Sequence, residues 1–120
     1  MEKNILVNLG PVDQVALGHG MCFVILETEV AVIRPRTGGL FAIENSCPHR
    51  QGPLSEGIIG NGKVVCPLHG HKFDLVTGQG SEGHECVKVF KTWIDGGSIM
   101  IEFCYSPLKI NKQKQQSSLN

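Results

Sequence analysis

Two short motifs, Cys47-Pro48-His49 and Cys66-Pro67-Leu68-His69, constrain the fold of this chain more than any other feature. Each motif offers one thiolate and one imidazole, and sixteen residues separate the two motifs. Thiolate sulfur and imidazole nitrogen are both good metal ligands. A site that uses all four side chains therefore requires a fold that brings two loops, nearly twenty residues apart, to one place.

The segment between the motifs predicts how they meet. The apolar runs Gly57–Ile59 and Lys63–Cys66 flank Gly60-Asn61-Gly62. Asn-Gly between such runs is a strong signal for a β-hairpin. Because a hairpin returns the chain to its starting end, we expect it to bring the second motif beside the first.

The rest of the chain predicts an all-β fold. Short β-rich runs lie between the 15 glycines, which is typical of an antiparallel sandwich or barrel. A short helix has room only in Gly10–Gly18, because no stretch shows a sustained 3.6-residue period. The predicted strands are Asn4–Leu9, Cys22–Leu26, Glu29–Arg34, Leu40–Glu44, Gly57–Ile59, Lys63–Cys66, Lys72–Val76, Cys86–Ile94 and Ser98–Cys104. In the last strand, Ile99, Ile101 and Phe103 alternate with Met100 and Glu102, which predicts one buried face.

Length and charge predict one domain without a nucleic-acid partner. We expect residues 1–105 to fold as a unit, with a metal-binding part at about 45–75, and residues 106–120 to form a polar, disordered tail. The net charge is zero, but the tail holds three Lys and no acid, so the body is mildly acidic. A mildly acidic body argues against binding to DNA.

Cysteine usage and hydropathy predict a soluble, cytoplasmic protein. The five Cys are an odd number without a signal peptide, which does not indicate a disulfide framework. No apolar run approaches the roughly 18 residues of a membrane span. Because the two motifs already supply four ligands, we expect Cys22, Cys86 and Cys104 to be small core or surface residues.

Two metal sites fit a set of two Cys and two His. One is a structural zinc site, although zinc modules usually open with two Cys rather than with Cys-x-His. The other is a [2Fe–2S] centre in which two His replace two Cys on one iron. The two motifs resemble those of the Rieske domain, and the resemblance extends to about Tyr105. It implies a Rieske-type antiparallel β-sandwich or barrel with a small cluster-binding subdomain.

The resemblance also implies the roles of the motif residues. Cys47 and Cys66 would bind one iron of a single [2Fe–2S] cluster per chain, and His49 and His69 would bind the other. High-potential Rieske proteins add a disulfide between the ligand loops and hydroxyl groups beside the cluster. This chain lacks both, with His71 and Phe73 at the hydroxyl positions. We therefore expect a potential near the low end of roughly −150 to +300 mV.

The wider pattern is similar to two kinds of Rieske protein, both electron carriers without catalytic residues of their own. One is the small subunit of assimilatory NAD(P)H nitrite reductase, whose partner is a large flavin, iron–sulfur and sirohaem subunit. The other is the free ferredoxin that supplies aromatic-ring dioxygenases. The first is favoured by Arg34-Pro35-Arg36 and by a third loop, Gln79–Glu85, without proline. We expect partner contacts at Arg50, Gln51, Leu68 and His71, and assign His71 only a minor role near the metal.

Overall fold

The structure is a computed structural model that describes residues 2–46, 52–68, 70–81 and 85–105. Within these ranges the chain forms nine β-strands and two short 3-10 helices. The strands are β1 (Lys3–Pro11), β2 (His19–Ile25), β3 (Thr28–Arg34), β4 (Phe41–Glu44), β5 (Ile58–Gly60), β6 (Lys63–Val65), β7 (Lys72–Asp74), β8 (Val89–Asp95) and β9 (Ser98–Tyr105). The 3-10 helices are Val12–Gln14 and Leu54–Glu56. The predicted all-β, antiparallel class is confirmed.

Six strands form one antiparallel sheet in the order β1-β9-β8-β4-β3-β2. Side chains from β1 and β2, at opposite ends of this order, pack on the same apolar core. The sheet is therefore curled around that core. The predicted alternation in β9 is confirmed, because Ile99, Ile101 and Phe103 are all buried there.

Strand β3, next to the edge strand β2, is buried on both faces. Val30 and Val32 face the core inside the curled sheet. Ala31 and Ile33 face a second core, which also contains Leu54, Val64, Cys66, Phe73, Leu75 and Val87. The unbroken apolar run of β3 follows from this double burial, since a strand with one solvated face would alternate apolar and polar residues.

The strands β5, β6 and β7 form a separate three-stranded antiparallel sheet. Its first turn is the predicted Asn-Gly hairpin, with Asn61 at φ 53° and Gly62 at φ 73°. Positive φ at both central residues is the signature of the turn type that suits two-residue hairpins. The small sheet packs on the large one through the second core, and it delivers Cys66 directly after β6.

Several predicted boundaries were wrong for local reasons. Strand β7 ends at Asp74 instead of Val76, because the Asp74 Oδ1 atom accepts the N–H groups of Val76 (2.8 Å) and Thr77 (3.0 Å) and turns the chain. Strand β8 begins at Val89 instead of Cys86, which forms only an isolated bridge to Gln79.

The segment before β2 is shorter and more ordered than predicted. Strand β1 continues to Pro11, past a register shift that follows Asn8. The short helix expected in Gly10–Gly18 is a single 3-10 turn at Val12–Gln14. The predicted tail, 106–120, lies outside the described residues. No helix within the described ranges is long and apolar enough to cross a membrane.

Candidate metal centre

Of the four predicted ligands, Cys66 is the one that the structure describes. It follows β6 and is buried, with only 1% of its surface exposed. Its N–H group donates to the His71 carbonyl oxygen (2.7 Å), and its own carbonyl oxygen accepts the Gly70 N–H group (3.0 Å). These two bonds close residues 66–71 into a tight loop at the end of the small sheet, which we call the second ligand loop.

The segment that contains the first motif is held at both of its ends. Asn45, just before this segment, is buried, and its Oδ1 atom accepts the Ser55 N–H group at 2.6 Å. Its Nδ2 atom donates to Glu29 Oε1 (3.3 Å), and its N–H group donates to the Glu29 carbonyl oxygen (3.1 Å). Asn45 therefore fixes the base of the segment 46–54, which we call the first ligand loop.

The two ligand loops meet at Gly52. A Cβ atom on Gly52 would lie 2.9 Å from the Cys66 Sγ atom and 3.0 Å from the Leu68 Cγ atom. Real Cβ atoms essentially never approach other atoms so closely, so a side chain at this position would require Cys66 or Leu68 to shift. The structure thus brings Gly52, which follows the first motif, against the buried thiol of Cys66.

The other three predicted ligands, Cys47, His49 and His69, lie outside the described residues. No group of three or more potential metal-binding side chains occurs within the described ranges, which omit these three. The surroundings of Cys66 show whether this part of the chain fits a metal centre. A buried thiol on a closed loop, pressed against the first loop, suits a thiolate ligand shielded from water.

Sequence reasoning underestimated His71. Its ring Nδ1 atom lies 2.9 Å from Glu85 Oε1 and 3.1 Å from Oε2. Both side chains are mostly buried, at 21% and 17% exposure, so His71 is less accessible to a partner than predicted. The two residues are fourteen positions apart on two loops, and no spacing rule for helices or strands links such positions. Arg50 and Gln51, also predicted partner contacts, lie outside the described residues, whereas Leu68 is 58% exposed.

The third loop is joined to the same region by backbone contacts. Gly80 and Glu85 close this loop, through the Gly80 N–H group and the Glu85 carbonyl oxygen at 2.8 Å. Ser81 donates its N–H group to the Lys72 carbonyl oxygen (2.8 Å), and its Oγ atom accepts the Lys72 N–H group (3.1 Å). The third loop therefore lies directly beside the second ligand loop.

The three remaining cysteines were predicted to be small core or surface residues. Cys22 and Cys86 are exposed, and Cys104 is partly buried. Desolvation, together with the nearby Glu29 carboxylate, raises the pKa of Cys22. The hydrogen bond from the Cys104 thiol to Glu2 (3.1 Å) raises the pKa of Cys104.

Comparison with known proteins gives the same architecture. The chain is 32% identical over 100 residues to the biphenyl dioxygenase ferredoxin subunit of Pseudomonas sp. strain KKS102, covering 81% of this chain and 91% of that protein. It is 26% identical, with a TM-score of 0.74, to a solved protein assigned as the small subunit of NADPH nitrite reductase, covering 81% and 97% of the two chains.

Shorter matches include much larger proteins. A 4beta-methylsterol monooxygenase of Methylococcus capsulatus is 50% identical over 46 residues, which are 38% of this chain and 12% of that protein. The family model for the Rieske-like [2Fe-2S] domain matches residues 6–102. One Rieske cluster is the cofactor that this family implies, and the buried thiol of Cys66 fits it. This chain therefore belongs to the Rieske-like [2Fe-2S] domain family.

Proposed function

We propose that this chain passes single electrons to or from a larger redox protein as the small subunit of an NAD(P)H-dependent nitrite reductase, which reduces nitrite to ammonium in nitrate assimilation. Electron transfer of the Rieske type follows from the family. The cluster supplies a one-electron site that alternates between an oxidised and a reduced state. The observation that carries the proposal is the contact of the two ligand loops at Gly52 and Cys66.

The proposed ligands are Cys47 and Cys66 on one iron and His49 and His69 on the other. Asn45 holds the first ligand loop at its base, and the hydrogen bonds of Cys66 close the second. Leu68 is exposed at the surface of the second loop, next to the proposed ligand His69. Electron-transfer complexes have small interfaces and are short-lived. An exposed apolar side chain close to the redox site is enough contact area for such brief docking.

Two features support nitrite reductase as the system that this chain serves. The third loop has no proline, and its sequence resembles that of the nitrite reductase small subunits. The similarity to the solved protein assigned as a nitrite reductase small subunit also covers 97% of that chain, so the two chains agree in size and fold. The partner would be the large nitrite reductase subunit with its flavin, iron–sulfur and sirohaem groups.

A second candidate function is that of a free ferredoxin that supplies an aromatic-ring dioxygenase. The observation in its favour is the 32% identity to the biphenyl dioxygenase ferredoxin subunit over 91% of that protein. Both candidates use the same cluster and differ only in the partner. A test of the cluster and a test of the partner are therefore separate experiments.

The cluster is tested on anaerobically purified protein. We expect two iron and two acid-labile sulfide per chain, and a Rieske-type EPR signal after reduction. Cys66→Ser should abolish the signal, whereas Cys104→Ser should retain it, because Cys104 lies on β9 and its thiol donates to Glu2. Stoichiometric zinc without sulfide in the wild-type protein would overturn the cluster assignment.

The partner is tested in the source organism by deleting the gene. Loss of growth on nitrite as sole nitrogen source, restored by the wild-type gene but not by His69→Ala, would support the nitrite reductase role. Normal growth on nitrite, with loss of an aromatic dioxygenase activity, would support the ferredoxin role instead. We also propose that residues 1–105 form the functional domain, so a gene that ends after Tyr105 should restore growth equally well.

A further inference from the structure

The side chains of His71 and Glu85 join the second ligand loop to the third loop. The ring Nδ1 atom faces both carboxylate oxygens, at 2.9 and 3.1 Å. An ionised carboxylate can only accept hydrogen bonds, so the proton lies on Nδ1 and the imidazole donates. The pair is only partly exposed, and water competes with it less than with a surface ion pair.

Each partner of this pair sits at a point where its loop is closed. The His71 carbonyl oxygen accepts the Cys66 N–H group, which closes the second ligand loop. The Glu85 carbonyl oxygen accepts the Gly80 N–H group, which closes the third loop. A Cβ atom on Gly80 would lie 2.9 Å from the Glu85 Cβ atom, so the third loop is tightly packed at this point.

We infer that Glu85 is a positioning residue for the cluster, acting through His71, and this inference rests on the ligand assignment in the proposed function. The Glu85 carboxylate holds the ring of His71, which lies two positions after His69 and whose carbonyl oxygen accepts the Cys66 N–H group. It also holds the third loop over the second, in a loop without the stiffening of proline. Removal of a group that hydrogen-bonds to a metal ligand and orients it typically lowers metal affinity or activity by about 10- to 100-fold.

The charge of Glu85 acts on the cluster as well as its position. A carboxylate beside the second ligand loop disfavours the addition of an electron to a nearby group. Glu85→Gln removes that negative charge, whatever the protonation of His71, and keeps a side-chain oxygen that can accept the Nδ1 proton. Glu85→Ala removes both the charge and the acceptor. The two variants therefore separate the effect of charge from the effect of position.

The experiment uses the cluster-loaded protein and measures three properties of each variant. They are the rate of cluster loss to an iron chelator, followed by visible absorbance, the midpoint potential by voltammetry, and the EPR spectrum of the reduced protein. The control is Lys63→Ala, which removes a more exposed ion pair between two strands of the small sheet, Lys63 to Asp74 at 3.8 Å.

We expect Glu85→Ala to lose the cluster about tenfold faster than the wild type. Glu85→Gln should lose it at an intermediate rate. Both variants should have a higher potential than the wild type, and Glu85→Ala should have a changed EPR spectrum. Lys63→Ala should match the wild type in the rate of cluster loss and in the EPR spectrum, and any change in its potential should be a decrease, because a positive charge is removed.

Two results would overturn the inference while leaving the proposed function intact. One is that both Glu85 variants match the wild-type protein in the rate of cluster loss, the potential and the EPR spectrum. The other is faster cluster loss with an unchanged potential and spectrum in Glu85→Gln, which would make the pair a purely structural contact. Failure of the ligand assignment in the proposed function looks different, because the wild-type protein would then hold no iron–sulfur cluster at all.

Discussion

Substitution of Asn45 by Ala should destabilise the protein far more than loss of an exposed hydrogen bond. Asn45 is 4% exposed, and its side-chain oxygen accepts the N–H group of Ser55, which is 8% exposed. Without that oxygen the Ser55 N–H group is buried and unpaired, which costs about 1–3 kcal/mol. The bond to Glu29 is lost as well, but water can reach that partly buried carboxylate.

The expected change can be measured by urea denaturation. Small proteins lose about 1–3 kcal/mol of stability per molar urea, so a cost of about 2 kcal/mol lowers the midpoint by about 1 M. The matched control is Asn8→Ala. The Asn8 side-chain oxygen also accepts a backbone N–H group, that of Gly10 at 2.8 Å, but at an exposed position.

Water can replace the lost acceptor at Asn8, so the control should change the free energy of unfolding by no more than about 0.5 kcal/mol. Asn45→Asp provides a second comparison. It keeps the acceptor for Ser55 but places a negative charge beside Glu29, and we expect a loss smaller than that of Asn45→Ala. Equal, small shifts of the midpoint in Asn45→Ala and Asn8→Ala would refute the argument that burial makes the Asn45 bond costly to lose.

Three further predictions concern the ligand loops and the turn after β7. Gly52→Ala should lower the iron content per chain, because its Cβ atom would push against Cys66 Sγ; Gly60→Ala, with no atom within 4 Å of its Cβ position, should keep the wild-type iron content. The backbone N–H groups that Asp74 accepts lower its pKa. Asp74 therefore stabilises the fold above its unfolded pKa of about 4 and loses this effect as pH falls through its lower folded value, so the urea midpoints of wild type and Asp74→Asn should converge between pH 7 and pH 3. Phe73→Tyr should raise the midpoint potential in voltammetry if the new hydroxyl reaches a cluster sulfur, and an unchanged potential with a stability loss of about 1–3 kcal/mol would show that the hydroxyl is buried without a partner.

The strands and the hairpin were predictable because their signals are local. The Asn-Gly turn between β5 and β6 needs positive φ at both residues, and few other dipeptides meet that need. The alternation in β9 records which face is buried. The turn between β2 and β3 is similar in shape, but it uses Leu26 and Glu27 at positive φ, so composition gave no sign of it.

The polar contacts around the site were not predictable, because they join residues distant in the chain. Asn45 and Ser55 are ten residues apart, and His71 and Glu85 are fourteen apart. Nothing in a single sequence distinguishes a glutamate that pairs with a histidine on another loop from one that faces solvent. The cluster motifs were recognisable because metal chemistry restricts both residue type and spacing. Residues that hydrogen-bond to a ligand loop are much less restricted in residue type and in spacing.

The part of the chain that holds the ligand loops begins and ends at neighbouring positions of one sheet. It leaves after β4 and returns before β8, where the Glu44 N–H group donates to the Lys88 carbonyl oxygen at 2.9 Å and Ile43 pairs with Val89. The core inside the curled sheet takes none of its residues from the described part of the intervening segment. Because the two ends of the segment are adjacent, evolution can change its length, loops and ligands as one unit. The strand pairing of the six-stranded sheet is unaffected by such changes. One scaffold can in this way present differently tuned redox sites to different partners.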